Sequence, residues 1–250
     1  MDPCLNPLSL DGKTVLVTGA SSGIGQASAL LCSQLGAQVI VTGRNEDRLR
    51  QTFTSLYGNG HLIITADLSE ESDIVRLCDS IPSLDGVIHC AGMGHRKPCK
   101  SIGAEDLETV MRVNFNSAVL LQTHLLTLKK INKSASIVFL SSRAADIPAI
   151  ANSLYSASKG ALKSYARCLA LELAPRGIRV NCICPAVVWT PIILQDGVTE
   201  EVLLAEQTKY PLKRYGKPED IANLAVFLLS NASSWMTGSS IDITGGSIVL

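Results

Sequence analysis

The sequence carries no excess of charge. Its 22 basic and 22 acidic residues balance, so it has no electrostatic footprint for nucleic acid or for an anionic membrane surface. No stretch approaches the roughly 18 consecutive apolar residues that a bilayer span needs. The opening MDPCLNPLSLDGK has no apolar h-region, which argues against a secretory signal. A soluble, cytoplasmic protein is expected. Cys-x-x-Cys, paired Cys/His spacings and His-Glu-x-x-His are all missing, so no metal is expected. Of eight cysteines, most lie in apolar segments, among them Cys32, Cys168, Cys182 and Cys184. They read as buried free thiols, which pack as small hydrophobes. Linkers rich in Pro or Gly, internal repeats and low-complexity tracts are absent as well.

What is present is a regular alternation. The 250 residues, 46% hydrophobic, suffice for one α/β core. Apolar runs such as TVLVTG (14–19), QVIVTG (38–43), DGVIHCAG (85–92), ASIVFLSS (135–142) and IRVNCICP (178–185) read as strands. Between them lie helical stretches, among them a long one at 103–130 and one at 153–177 closed by Pro175 and Gly177. Asn45 is an expected N-cap, Ser69 an expected helix start, and Pro218 an expected first-turn proline. Strands apolar throughout and separated by helices predict a parallel sheet covered on both faces. With right-handed crossovers the sheet is doubly wound, and ligands sit beyond the carboxyl ends of its strands. The chain reads as a single domain over 1–250. Its one long mixed connection, 186–217, is expected to form a substrate lid.

TGASSGIG (18–25) follows the first strand and opens the first helix. Gly19, Gly23 and Gly25 permit a tight turn in which a pyrophosphate meets backbone N–H groups at a helix N-terminus. Thr18, Ser21, Ser22 and Ile24 complete the turn. This predicts a Rossmann-type, dinucleotide-binding fold. The second strand ends in Gly43-Arg44, where an Asp or Glu would take the ribose 2′-hydroxyl of NAD. A guanidinium binds a 2′-phosphate as a fork, and a cation at a helix start is otherwise poorly placed. Arg44, with Ser22 adding a hydroxyl, therefore favours NADP(H) over NAD(H). Asp67, followed by Leu68, is placed to reach the adenine or to cap the helix that follows.

YSASK (155–159) alone would be an ordinary helix turn with a snorkelling Lys159. The set changes that reading. Thr18 to Gly25, Asp67, Ala91-Gly92, Asn114, Ser142, Tyr155, Lys159 and Pro185, with the interval from Ser142 to Tyr155, resemble the short-chain dehydrogenase/reductase family over the whole chain. The ending RYGKPEDIANLAVFLLSNASSWMTGSSIDITGG is similar to that of 3-oxoacyl carrier-protein reductases. The resemblance implies an NADP(H)-dependent oxidoreductase with Tyr155 as the acid in ketone reduction. Lys159, one turn away, lowers the phenol's pKa and holds the nicotinamide ribose. In the same reading Ser142 orients the substrate oxygen, Asn114 holds a water in a proton path, and Pro185, Ala186, Val188 and Thr190 flank the nicotinamide. A homotetramer is implied too. Ala157, Ala161, Ser164 and Cys168 form a small-residue face on one helix. Two alternatives stay open: a dehydrogenase of a small alcohol, sugar or sterol on the same Ser-Tyr-Lys set, and a non-catalytic NADP(H) sensor.

Two departures stand out. His89-Cys90-Ala91-Gly92 replaces the family's Asn-Asn-Ala-Gly, and a thiol braces strands poorly. Pro185-Ala186 replaces Pro-Gly. Arg143, directly after Ser142, and His95-Arg96-Lys97, after the fourth strand, put cationic groups at the crevice rim. Two readings of Arg143 follow, an anion contact to a keto acid or carrier-bound acyl group and a salt bridge to Asp146. His95 is a further candidate substrate contact.

Overall fold

Thr14–Thr18 (β1) carries three successive apolar residues, Val15, Leu16 and Val17, all fully buried. A strand apolar on both faces needs cover on both sides. The structure, a computed structural model, describes residues 6–147, 149–194 and 199–247. After β1 come Gly23–Gln34 (α1), Gln38–Gly43 (β2), Glu46–Thr54 (α2), Leu62–Thr65 (β3), Glu71–Ser80 (α3) and Leu84–His89 (β4). Ala104–Met111 (α4), Ser117–Thr127 (α5), Ile131–Leu140 (β5), Ser153–Leu173 (α6) and Arg179–Pro185 (β6) follow. Glu200–Gln207 (α7), Pro218–Leu229 (α8) and Ser240–Ile243 (β7) complete the order.

The strands form one parallel sheet, β3-β2-β1-β4-β5-β6-β7. This is the expected single-domain, Rossmann-type doubly wound fold. Ile74 and Leu77 of α3, Leu121 and Leu125 of α5, and Leu162 and Leu169 of α6 share one core with Ile137 and Phe139 of the sheet. Ala29 of α1, Leu49 of α2, and Ile221 and Ala225 of α8 share the other with Val15, Val17, Val138 and Ile183. Strand order reverses between β1 and β4, and the crevice beyond that point is where such sheets take ligands.

Several boundaries differ from the sequence reading for local reasons. β4 stops at His89 rather than Gly92, because the N–H groups of Cys90 and Ala91 donate to the Thr18 hydroxyl (3.0 and 3.1 Å). β5 starts at Ile131 rather than Ala135, with Ser134 at φ +61 where the pairing with β4 slips. Ser69 does not open α3. Its N–H and hydroxyl both donate to the Asp67 carboxylate (2.9 and 2.7 Å), and the helix begins at Glu71. The long helical stretch is α4 and α5 joined by a π turn, Arg112–Asn116. Asn45 does cap α2, accepting from Arg48 N–H at 2.9 Å, and Gly177 at φ +69 follows the close of α6. Cys168 is exposed, contrary to the buried thiol expected, whereas Cys32, Cys182 and Cys184 are buried.

Candidate active site

The end of β5 is stitched to the first turns of α6. The Lys159 ammonium donates to the Leu140 carbonyl (2.9 Å), and the Ser141 hydroxyl donates to the Lys159 carbonyl (2.8 Å). Ser142, the next residue, hydrogen-bonds through its hydroxyl to the Tyr155 phenol. Tyr155 and Lys159 are four residues apart on α6 and so share a face. The ammonium lies 5.8 Å from the phenol ring centroid. Ser142, Tyr155 and Lys159 are therefore brought together at a strand's carboxyl end.

The electrostatics differ from expectation on one point. Burial raises the Tyr155 pKa, and the Ser142 hydrogen bond opposes it only in part. Burial also lowers Lys159 to about 8. A phenol lowered by Lys159 was expected. Instead the ammonium is turned onto a backbone carbonyl, and desolvation dominates both groups.

Asn114 lies in the π turn, a distortion frequent at functional sites. Its carboxamide accepts from Met93 N–H (2.7 Å) and donates to the Met93 carbonyl (3.0 Å) and the Ser158 hydroxyl (3.1 Å). The side chain thus ties the segment after β4 to α6. A Cβ placed on Gly92 would come within 3.2 Å of Asn114 Oδ1 and 3.3 Å of Lys159 Nζ, so the three converge on one point.

The glycine turn fits an anion. A Cβ at Gly25 would stand 2.3 Å from the Gly19 carbonyl oxygen, and one at Gly19 would stand 2.9 Å from Ala91 N. The turn therefore closes on itself and on the end of β4, with no room for side chains. α1 has no acid in its first turn, and the Ser22 hydroxyl makes no cap hydrogen bond. Among the described residues, those helix N–H groups thus have no side-chain acceptor. Ser21 lies against Gly43, its hydroxyl 3.4 Å from a Cβ built there. Beside them Arg44 stands 3.9 Å from the Asp67 carboxylate. Leu68 is buried in the core next to Asp67. Thr190 also packs on the turn, at Gly23 (Cγ2 3.1 Å from a Cβ built there).

The family model described as "Enoyl-(Acyl carrier protein) reductase" matches residues 19–247. A glucose 1-dehydrogenase of Gluconobacter oxydans is 39% identical over 243 residues, covering 94% of this chain and 91% of that protein. A 3-oxoacyl-[acyl-carrier-protein] reductase of Rickettsia felis is 33% identical over 245 residues, 97% of this chain and 100% of its own length. A tropinone reductase homolog of Arabidopsis thaliana is 36% identical, covering 96% of this chain and 92% of that protein. Among solved structures, a short-chain type dehydrogenase/reductase from Mycobacterium ulcerans superposes with a TM-score of 0.86 at 31% identity, over 95% of this chain and 90% of the other. This chain belongs to the short-chain dehydrogenase/reductase family.

Within that family frame, the rim of this short-chain dehydrogenase/reductase departs from the sequence reading. Of the two readings of Arg143, the structure shows the contact to Asp146 (3.8 Å) and adds a shorter pair with Asp242 on β7 (2.8 Å). His95 and Lys97 both face Asp106 (3.4 and 2.6 Å), whose carboxyl these donors and the Gly103 N–H hold at about 2. Lys97 and Arg143 thus each stand against a carboxylate of the chain, Asp106 and Asp242. Sequence reasoning missed Asp106, Asp242 and Lys163. The signal for Lys163 was its place one turn beyond Lys159; Asp242 had none beyond a lone charge in an apolar strand.

Several contacts hold the strand end around Cys90. The Thr18 hydroxyl takes the backbone N–H groups of Cys90 and Ala91. His89 stacks on Phe139 (centroids 4.5 Å apart) and hydrogen-bonds to Gln122 Oε1 (3.1 Å). Ala186 N–H donates to the Ile243 carbonyl (3.1 Å), and Val188 bridges Gly216. The connection 186–217 thus closes at its root. It contains α7 and a small core of Leu203, Tyr210 and Tyr215 against Trp189; its residues 195–198 lie outside the described residues. Among the described residues no helix is long and apolar enough to cross a membrane, and no group of three or more His, Cys, Asp or Glu is placed to hold a metal ion.

Proposed function

We propose that this enzyme uses NADP(H) to reduce a ketone of 3-oxoacyl type to an alcohol, with Tyr155 as proton donor. The observation that carries the reading is the meeting of Ser142, Tyr155 and Lys159, with a glycine turn whose helix N–H groups lack side-chain acceptors among the described residues. The glycine turn would hold the pyrophosphate through Gly19, Ser21, Ser22, Gly23, Ile24 and Gly25. Arg44 would take the 2′-phosphate, Asp67 and Leu68 would line the adenine side, and Thr18, Ala91 and Gly92 the floor. Pro185, Ala186, Val188 and Thr190 would border the nicotinamide, and Lys159 its ribose. NADPH, when bound, supplies the hydride.

The residues of the chain supply the rest. Ser142 orients the substrate oxygen toward the phenol. Tyr155 delivers the proton, and burial raises its pKa in the chain without cofactor. Asn114 fixes the Met93 segment and Ser158 of the helix that carries Tyr155 and Lys159, and a water at its π turn would complete the proton path. The connection 186–217 acts as a lid over the crevice.

The exposed small-residue face of α6, with Ala157, Ser164 and Cys168 outward, supports a homotetramer. The test of the reaction is NADPH consumption with a 3-oxoacyl N-acetylcysteamine thioester, run beside NADP+ reduction with glucose and with simple alcohols. Faster oxidation than reduction would favour the dehydrogenase reading. Tight NADPH binding without turnover on any carbonyl would favour a sensor.

A further inference from the structure

Ser142 stands one residue beyond the sheet. The last ladder pair is Leu140 with Ile183, and the last backbone bond runs from Ser141 N–H to the Ile183 carbonyl (2.9 Å). After it the chain enters a short 3-10 turn, Arg143–Ala145. A hydroxyl meant to hold a substrate oxygen thus sits on backbone that the sheet no longer fixes.

Four charged side chains from three parts of the fold close around that turn. The Lys163 ammonium of α6 meets the Asp146 carboxylate at 2.5 Å. The same Asp146 oxygen is 3.8 Å from the Arg143 guanidinium, which pairs at 2.8 Å with Asp242 of β7. Arg143 thereby reaches from β5 past the end of β6 to β7, two strand spacings or roughly 9–10 Å. Lys163 is buried, and the Arg143 side chain is 22% exposed. Tyr155, Lys159 and Lys163 follow at four-residue steps, so they lie along one side of α6. Two cations and two carboxylates leave the set with no net charge to offer an anionic substrate.

We propose that the Lys163–Asp146–Arg143–Asp242 chain is a positioning device that holds Ser142 against Tyr155, and that Arg143 does not bind substrate. The proposal rests on the oxidoreductase reading above. The chain clamps the turn after Ser142 to the helix that bears Tyr155 on one side and to the outer strand on the other. A misplacement of about 1 Å at such a site costs on the order of 100-fold in rate.

The test uses Arg143→Ala, Asp242→Asn and the exchanged pair Arg143→Asp with Asp242→Arg. For each, kcat and KM are measured with the neutral 3-oxoacyl thioester and with a ketone bearing a carboxylate, together with the NADPH Kd and the pH profile of kcat. The single variants should lose about 10- to 100-fold in kcat, by the same factor for both ketones, with KM and NADPH affinity held within about threefold. The apparent pKa of the proton donor should rise as the Ser142 hydrogen bond loosens, and the exchanged pair should recover most of the loss. Should Arg143→Ala fail to fold, Arg143→Lys keeps the cation and should show an intermediate kcat. A loss confined to KM for the charged ketone would overturn the proposal in favour of anion binding, and unaltered kcat would overturn it outright. Those outcomes require an active parent; a parent inactive on every ketone would instead sink the oxidoreductase reading, and this proposal with it.

Discussion

The Arg44 guanidinium is 63% exposed and stands 3.9 Å from Asp67, the corner where a 2′-phosphate would sit. Arg44→Asp removes its positive fork and sets two carboxylates side by side. NADPH affinity should fall by about 10- to 100-fold while NADH changes by less than about threefold, as read by titration of each reduced cofactor. Equal NADPH affinity in parent and variant would show a merely solvated arginine. At Tyr155 the removal of one oxygen separates chemistry from binding. Tyr155→Phe should lower kcat by more than about 100-fold and leave the NADPH Kd within about twofold, since Lys159 and the glycine turn are untouched. A variant that keeps a tenth of the parent's kcat would remove the phenol from the acid role.

Glycines show how an element's shape constrains its residues. In the turn into α1, a methyl at Gly25 would overlap the Gly19 carbonyl, with 2.3 Å between Cβ and oxygen. Gly25→Ala should destabilise the fold by about 1–3 kcal/mol and weaken NADPH binding, because the turn must open. Gly160, inside α6, is the contrast. A Cβ there meets nothing within 4 Å, and the residue is helical. Gly160→Ala should stabilise by about 0.5–1 kcal/mol. Urea unfolding of both variants checks the pair; a stabilised Gly25→Ala would contradict the described geometry.

For the molecule as a whole, His89 should contribute to acid sensitivity between pH 7 and pH 5. It is fully enclosed between Phe139 and Gln122, and burial depresses its pKa from 6.5 to about 4. A folded-state pKa below the unfolded one means that the unfolded chain binds the proton more readily. The neutral ring's contribution is therefore complete above about pH 6.5 and is lost as pH falls toward about 4. The loss should reach about 3 kcal/mol at most. Urea midpoints at pH 7 and pH 5 should differ, and His89→Asn should flatten that difference. An unchanged pH dependence in the variant would assign the acid sensitivity elsewhere. Assembly belongs to this scale too. Leu171, 79% exposed, lies on α6 with the outward small residues, and light scattering at micromolar concentration should give a tetramer mass. A monomer would sink that expectation.

The apolar strands, the glycine turn and the Tyr155–Lys159 spacing were legible in the sequence because each is a local pattern. Alternation in runs, a turn with no room for side chains and a four-residue helical step all act within a few residues. The same locality made Asn45 legible as a cap. What only the tertiary structure decided were pairings between distant segments. Thr18 meets Cys90 and Ala91 across β1 and β4, and Arg143 meets Asp242 across the end of β6. Asp106 takes Lys97 and His95. A charge in a sequence shows its sign but not its partner, so the carboxylates that Lys97 and Arg143 meet emerged only in the fold. Whether burial or a neighbouring cation dominates the Tyr155 phenol was equally beyond the sequence, since desolvation depends on how completely the folded chain closes over a group.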